Sequence, residues 1–325
     1  MNRLPVLLTV IVLLPSFAGA AGTGSAETPD PAVVTAAIEN ARDGDRGFDL
    51  LAQCSDDDRN RSLEVFPGGV AIWNGRLQLT LPPQARRGLL DTLLDRGFAA
   101  MEPSYGGKRP PQPEPPTDGA APVRVHCRIT FASGGVGKTS IQQTQGDQSP
   151  ELIGLVNAVL DRVEPLVAKS GVGADDLPDG LAKLSRGELA PETFSLRFVR
   201  LPQNGAGTPG SIVRVDRSTL TRRAYAPKRE LGEPESDELD AGRFVGLVEA
   251  IRAADLSSMP PNLWADDQLE LEVRVLDHEA TILARPFRGR AAEDGGDVQK
   301  RFDALVGFLR QTLLGDGEAG TAAID

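Results

Sequence analysis

The chain has 325 residues, a formal net charge of −11, two cysteines, two histidines and only 5% aromatic residues. An acidic chain with no basic stripe and few aromatic platforms points away from nucleic acid, which rewards Lys and Arg clustered on one face. The length suits two domains, each able to bury a core of its own.

The opening "MNRLPVLLTVIVLLPSFAGAAG" carries one positive charge at Arg3, an apolar run from Leu4 to Phe17 and the small residues Ala18, Gly19 and Ala20. This pattern is that of a secretory signal peptide over 1–20, cut near Ala20–Ala21. The run is shorter than the roughly 20 apolar residues of a bilayer span. The expectation is therefore export, to a periplasm or beyond the cell, with no membrane insertion after cleavage. Residues 21–29 read as a disordered lead-in.

Two runs of elements then come in the same order. Over 30–171 there are an apolar helix "PAVVTAAIENA", the strand "FDLLAQC", the strand stretch "SLEVFPGGVAIWNGRLQLTL", a helix "LLDTLLDRGFAAM", the strand pair "VRVHCRITFASGGVGKTSIQQ" and a helix "PELIGLVNAVLDRVEPLV". Over 172–315 there are "LAKLSRGELAPET", "FSLRFVR", "SIVRVDRSTLTRRAYA", "LVEAIRAADLSSM", "LELEVRVLDHEATILARPF" and "DVQKRFDALVGFLRQTLL". Val123, Val125, Cys127, Ile129 and Phe131 alternate with polar residues, the period of a half-buried strand. Leu152, Leu155, Val156, Val159, Leu160 and Val163 recur at three and four, one apolar helical stripe behind the N-cap Ser149 and Pro150. Asn74-Gly75 suits the positive φ angles of a tight hairpin. Hairpins in place of strand–helix–strand crossovers predict an α+β fold: two tandem copies of a helix-βββ-α-ββ-α unit, with mostly antiparallel sheets and helices on one face. The tail 316–325 lacks periodicity and reads as disordered.

Spacing supports the duplication. Phe48 and Phe194 lie 146 apart, as do Val123 and Leu269, whereas Met101 and Met259 lie 158 apart. On this matching the first copy carries a 12-residue insert, placed in the proline-rich loop 102–122 "EPSYGGKRPPQPEPPTDGAAP". Such composition predicts an extended, solvated loop.

Ala132 to Thr139, "ASGGVGKT", fits the phosphate-loop pattern, and "GGVGKT" resembles the loop of the deviant phosphate-loop ATPases that partition chromosomes and position division sites. A working loop of that kind needs a helix after the glycines, whose N-terminal N–H groups meet the phosphates. Here Gly146 and Pro150 leave room only for a short strand, and Ser133 stands where the resembled family has its signature lysine. The stretch therefore reads as a hairpin, and no nucleotide or other cofactor is expected.

Cys54 and Cys127 both fall on the apolar side of strands in the first copy, and export with an even cysteine count predicts a disulfide between them. Neither has a second ligand at zinc spacing, so no metal is expected. Asp56, Asp57 and Asp58 form an acidic loop without the spaced ligands and central glycine of a calcium site. Arg124, His126 and Arg128 share the wet side of one strand, and Arg76 is placed on a nearby strand of that face. Together they mark a cationic sheet surface open to an acidic small ligand or a protein partner. Two histidines, no metal spacing and a hairpin in place of a phosphate loop leave no catalytic set. The expected function is non-catalytic binding by an exported protein. The rival is a hydrolase using paired carboxylates, which need no histidine, and nucleotide binding at the Gly134-Gly135 loop is the remote alternative.

Overall fold

The computed structural model describes residues 29–44, 47–56, 60–106, 125–143, 148–201, 210–225, 232–285 and 296–315. The signal segment, residues 21–28, most of the proline-rich loop, Asp57, Asp58, Arg124 and the tail 316–325 lie outside these described residues.

The fold is α+β, with two seven-stranded, mostly antiparallel sheets. The first half runs α1 (Pro31–Asp43), β1 (Asp49–Ser55), β2 (Asn60–Val65), β3 (Val70–Trp73), β4 (Leu77–Thr80), α2 (Pro83–Asp95), β5 (Ser104–Tyr105), β6 (His126–Ser133), β7 (Val136–Gln142) and α3 (Pro150–Ser170). The second runs α4 (Leu177–Ser185), β8 (Phe194–Leu201), β9 (Gly210–Asp216), β10 (Thr219–Tyr225), β11 (Glu235–Glu238), α5 (Ala241–Ala254), β12 (Asn262–Trp264), β13 (Gln268–Val275), β14 (His278–Arg285) and α6 (Asp297–Leu309). The sheet orders are β4-β3-β2-β1-β6-β7-β5 and β11-β10-β9-β8-β13-β14-β12, the same element for element. Each half carries a strand more on either side of its middle helix than the sequence order suggests. β11 reads "ESDE" with no apolar alternation, and β5 and β12 are too short to show a period.

Local chemistry sets the element ends. Asp30 Oδ1 accepts from Ala32 N at 2.8 Å and opens α1, and Ser149 Oγ accepts from Leu152 N at 3.2 Å and opens α3, each with proline in the first turn where its missing N–H costs nothing. Asn74 and Gly75 both take positive φ, 52° and 70°, in the β3–β4 turn. The helix stripes Val34-Ile38-Ala41, Leu89-Leu90-Leu93 and Leu152-Leu155-Val159 close over the inner faces of β1, β2 and β6 and form one core. A second core forms in the same way over β8, β9 and β13, and it also takes in Phe66 and Ile72 from the first half.

Strand registers place the repeat more sharply than spacing does. The hairpin closed by Ser133↔Val136 corresponds to the one closed by Val275↔His278, so β6 and β13 are matched at 142 (275 − 133). Leu269 is therefore the counterpart of Cys127, and the insert is 16 residues (158 − 142), not 12. A four-residue slip keeps every side chain on its own face of the sheet, so alternation alone leaves it unseen.

Candidate functional site

Inside the phosphate-loop pattern, Gly134 and Gly135 form a two-residue hairpin turn with φ of 59° and 82°. Both angles are in the left-handed region that glycine enters without steric cost. The element after the turn is β7, not a helix. Lys138 lies on it, 5% exposed, donating from Nζ to the Met101 carbonyl at 2.7 Å and lying 5.9 Å from the centre of the Phe98 ring. Burial pulls its ammonium below the ordinary lysine range. This lysine fastens the turn before β5 to the sheet.

Cys54 and Cys127 stand opposite each other across β1 and β6, with Cα atoms 4.1 Å apart, and form the disulfide. In the second half the same two positions are Arg200 and Leu269, again opposite each other. There Arg200 Nε meets Asp267 Oδ2 at 2.5 Å, and Arg310 Nη2 reaches the same oxygen at 3.1 Å. One copy ties this end of the sheet covalently; the other ties it with ions.

Of the four residues of the predicted cationic surface, Arg124 lies outside the described residues, and Arg76 is apart from His126 and Arg128. Arg76 sits in the β3–β4 turn, largely exposed, and its Nε meets Asp277 of the β13–β14 turn at 2.8 Å. His126 and Arg128 are on β6, with β2 and β1 between that strand and β3. At about 4.8 Å per strand, Arg76 is more than 10 Å away from them. Arg128 Nε donates to Thr130 Oγ1 at 3.3 Å. Its counterpart in the second sheet is Glu270, by the 142-residue match, so the cationic character does not repeat.

A junction between the copies covers instead the part of the first sheet's outer face over β1 to β4. The end of the second sheet abuts that face. The β9–β10 turn brings Arg217 over the Phe66 ring, 4.3 Å from its centre, with Nη1 3.3 Å from Asp49 Oδ1. The β13–β14 turn brings Asp277 to Arg76, and Ala190 N donates to Gln78 Oε1 at 2.5 Å. Leu177, Leu181 and Val275 share a core with Phe66 and Ile72. The connector completes the joint: Val172 exchanges two backbone hydrogen bonds of 2.7 Å with Gln78 on the free edge of β4. A Cβ on Gly171 would lie 2.9 Å from the Val167 carbonyl, and one on Gly173 would lie 2.9 Å from Leu77 Cδ2 and 3.3 Å from the Arg76 carbonyl, so a side chain at either position would crowd the close approach of the connector.

Arg217 and Leu276 hold the left-handed backbone at φ of 64° and 55° in the two turns that make the junction. A non-glycine residue there costs on the order of 1 kcal/mol. The contacts of Arg217 to Phe66 and Asp49, and the Leu276 N–H bond of 2.9 Å to the Thr193 carbonyl, hold them in place.

Two acids lie in this junction. Glu64 on β2 is raised above the ordinary carboxylate range, first by burial and further by the charge of Asp216, against the pull of Arg217 and Arg274. Asp216 is raised by burial, against Arg217 and Arg214. The sequence contained these residues but no signal that they meet, because they come from opposite halves of the chain.

One cross-strand row makes the asymmetry plain. In the first sheet it reads Gln78, Ile72, Glu64, Leu51, Thr130, Thr139. The matching row of the second reads Ser236, Thr221, Arg214, Arg197, Glu272, Thr281. Gln78, Ile72, Leu51 and Thr130 are buried, whereas Ser236, Arg214 and Thr281 are exposed. Arg197 bridges to Glu270, and its Nη1 lies 3.9 Å from Glu272 Oε2. Arg214 and Arg223 stand on the same face, exposed and without a salt bridge among the described residues.

The sequence matches no protein-family model, and no curated protein matches it at a significant level. Among the described residues no group of three or more acidic, His or Cys side chains is arranged to hold a metal ion. No described helix is long and apolar enough to cross a membrane.

Proposed function

We propose that this is an exported, non-catalytic binding protein, and that its partner-facing surface is the outer face of the second sheet. The observation that carries this reading is the difference between the two matched rows. The β1–β4 part of the first outer face is taken up in joining the copies, whereas the second presents Arg214, Arg223, Thr281 and the apolar Leu283, 42% exposed, to solvent. A mixed polar face with two unbridged arginines and an apolar contact suits a protein partner bearing acidic groups. The disulfide is consistent with an oxidising compartment. The signal-like opening, "MNRLPVLLTVIVLLPSFAGAAG", gives the export reading its second support.

Photo-cross-linkers placed at positions 214 and 223 in the native envelope test it. They should capture the same partner, and the double variant Arg214→Glu/Arg223→Glu should lose that partner while keeping its fold by circular dichroism. Absence of any shared product, or capture unaffected by charge reversal, would refute the reading.

A second reading has one observation in its favour: burial raises the carboxyls of Glu64 and Asp216 above the ordinary carboxylate range, as a general acid requires. Turnover on glycoside, ester or peptide panels that is abolished by Glu64→Gln in a folded protein would establish it.

A further inference from the structure

We infer that the edge of β11, which pairs with no further strand among the described residues, is a docking strand for a basic, extended segment of a partner protein, which adds to the second sheet by backbone pairing. The inference rests on the reading that the second sheet is the binding one, and the repeat supplies its precedent. In the first sheet the equivalent edge, β4, is occupied: Val172 exchanges its N–H and C=O with those of Gln78. Gln78 corresponds to Ser236, since β4 and β11 match at 158 through the register of both sheets. The hydrogen-bond pattern of the second sheet reaches the same residue independently. Leu239 N donates to the Ser218 carbonyl at 2.8 Å, which makes 239, 237 and 235 the residues bonded to β10. By the alternation of antiparallel pairing, Ser236 and Glu238 aim their backbone groups away from the sheet. Asp237 Oδ1 accepts from Glu238 N at 3.0 Å, so the groups left for a partner are the Ser236 N–H and C=O and the Glu238 C=O.

Charge selects the occupant. Glu235, Asp237 and Glu238 are all exposed on this strand, with Glu233 just before it, and the nearest described cation, Arg243, is 3.9 Å from Asp237. The apolar Leu77 and Leu79 of β4 are replaced here by Glu235 and Asp237, so the edge is built to face ions and not a core. The chain's own residues 316–325 come after α6 as Val172 comes after α3, but they carry Asp316, Glu318 and Asp325 and no Lys or Arg. Like charges opposite one another across a strand pair are unfavourable. A lysine-bearing strand meets both the backbone groups and the field, the pairing mode by which extended peptides extend sheets.

The test is amide hydrogen exchange by NMR on the exported chain, with a capped peptide Thr-Lys-Val-Lys-Val-Lys-Thr as probe. At saturation the Ser236 amide should exchange at least about tenfold more slowly, and binding should weaken about tenfold on raising salt from 20 to 300 mM. Replacing the lysines with glutamates, or N-methylating the pairing residues, should abolish the effect. Ser236→Pro should abolish it too, in a chain that still folds, because proline is tolerated on an edge strand whose N–H faces outward. Unchanged Ser236 exchange with the lysine peptide, or equal protection by the glutamate peptide, would overturn the proposal. So would protection already present in the free chain and lost on truncation after Gly315, which would make the chain's own end the occupant. Failure here leaves the cross-linking from 214 and 223 untouched, since those residues lie on the face and not the edge.

Discussion

The two sheets share seven strands in one order, yet the same cross-strand row is mostly buried in the first and half-buried or exposed in the second. Topology is thus the inherited part, and the outer-face residues decide what each copy does. Phe66, Val70 and Ile72 make the first face adhesive; their counterparts Asp216, Thr219 and Thr221 make the matching part of the second face polar.

The largest way to break this contrast is a charge at its centre. Ile72→Asp should destabilise the protein by about 4 kcal/mol, through an unpaired buried carboxylate and lost packing. Thr221→Asp, at the matched position, should stay within about 0.5 kcal/mol. Urea unfolding of both variants measures the difference; comparable losses would mean that the junction is not a core. Next in size is the disulfide, which spans a sequence separation of 73. Removing it by Cys54→Ala/Cys127→Ala should cost about 2–4 kcal/mol by freeing the unfolded chain. Breaking the ionic counterpart by Asp267→Asn should cost less, about 1–2 kcal/mol, because its side chains keep some solvent and screening. Comparing the two variants by thermal unfolding shows whether covalent and ionic ties are equivalent.

The smallest effect is one of pH. Glu64 and Asp216 have raised values in the folded protein, so between the ordinary carboxylate range and those values the native state holds more protons than the unfolded state. Stability contributed by these groups is therefore present at the acid end of that window and falls as pH rises through it. Glu64→Gln should flatten this slope in urea titrations from pH 4 to 7; an unchanged slope would assign it to other groups.

Much of this architecture was readable in the residues. The Gly134-Gly135 turn, the Asn74-Gly75 turn and the cap at Ser149 arise from local chemistry, which acts within a few residues, whereas the cysteine pairing was read from an even count in a chain with an export-like opening. The four-residue offset of β6 was hidden because even slips preserve alternation, and β11 because its four residues contain nothing apolar. The junction was illegible for a different reason: Phe66 and Ile72 look like members of an ordinary apolar run, and nothing near them in sequence names Arg217, Asp277 or Ala190 as their neighbours. Arg76 illustrates the limit. Its charge marked it as surface, yet its partner is about two hundred residues away in sequence, at Asp277.

The way one unit's strand ends rest on its neighbour's face has a consequence for assembly. Such a head-to-tail contact is not self-limiting: a unit carrying both a receptive face and a fitting end would add to itself without closure and grow into a fibre. Here the two units divide those parts between them. The second unit has lost the receptive residues, and the first ends in Gly134-Gly135 where the second inserts Leu276-Asp277. Each unit therefore carries only half of what continued addition needs, a difference made by a handful of side chains within a shared backbone.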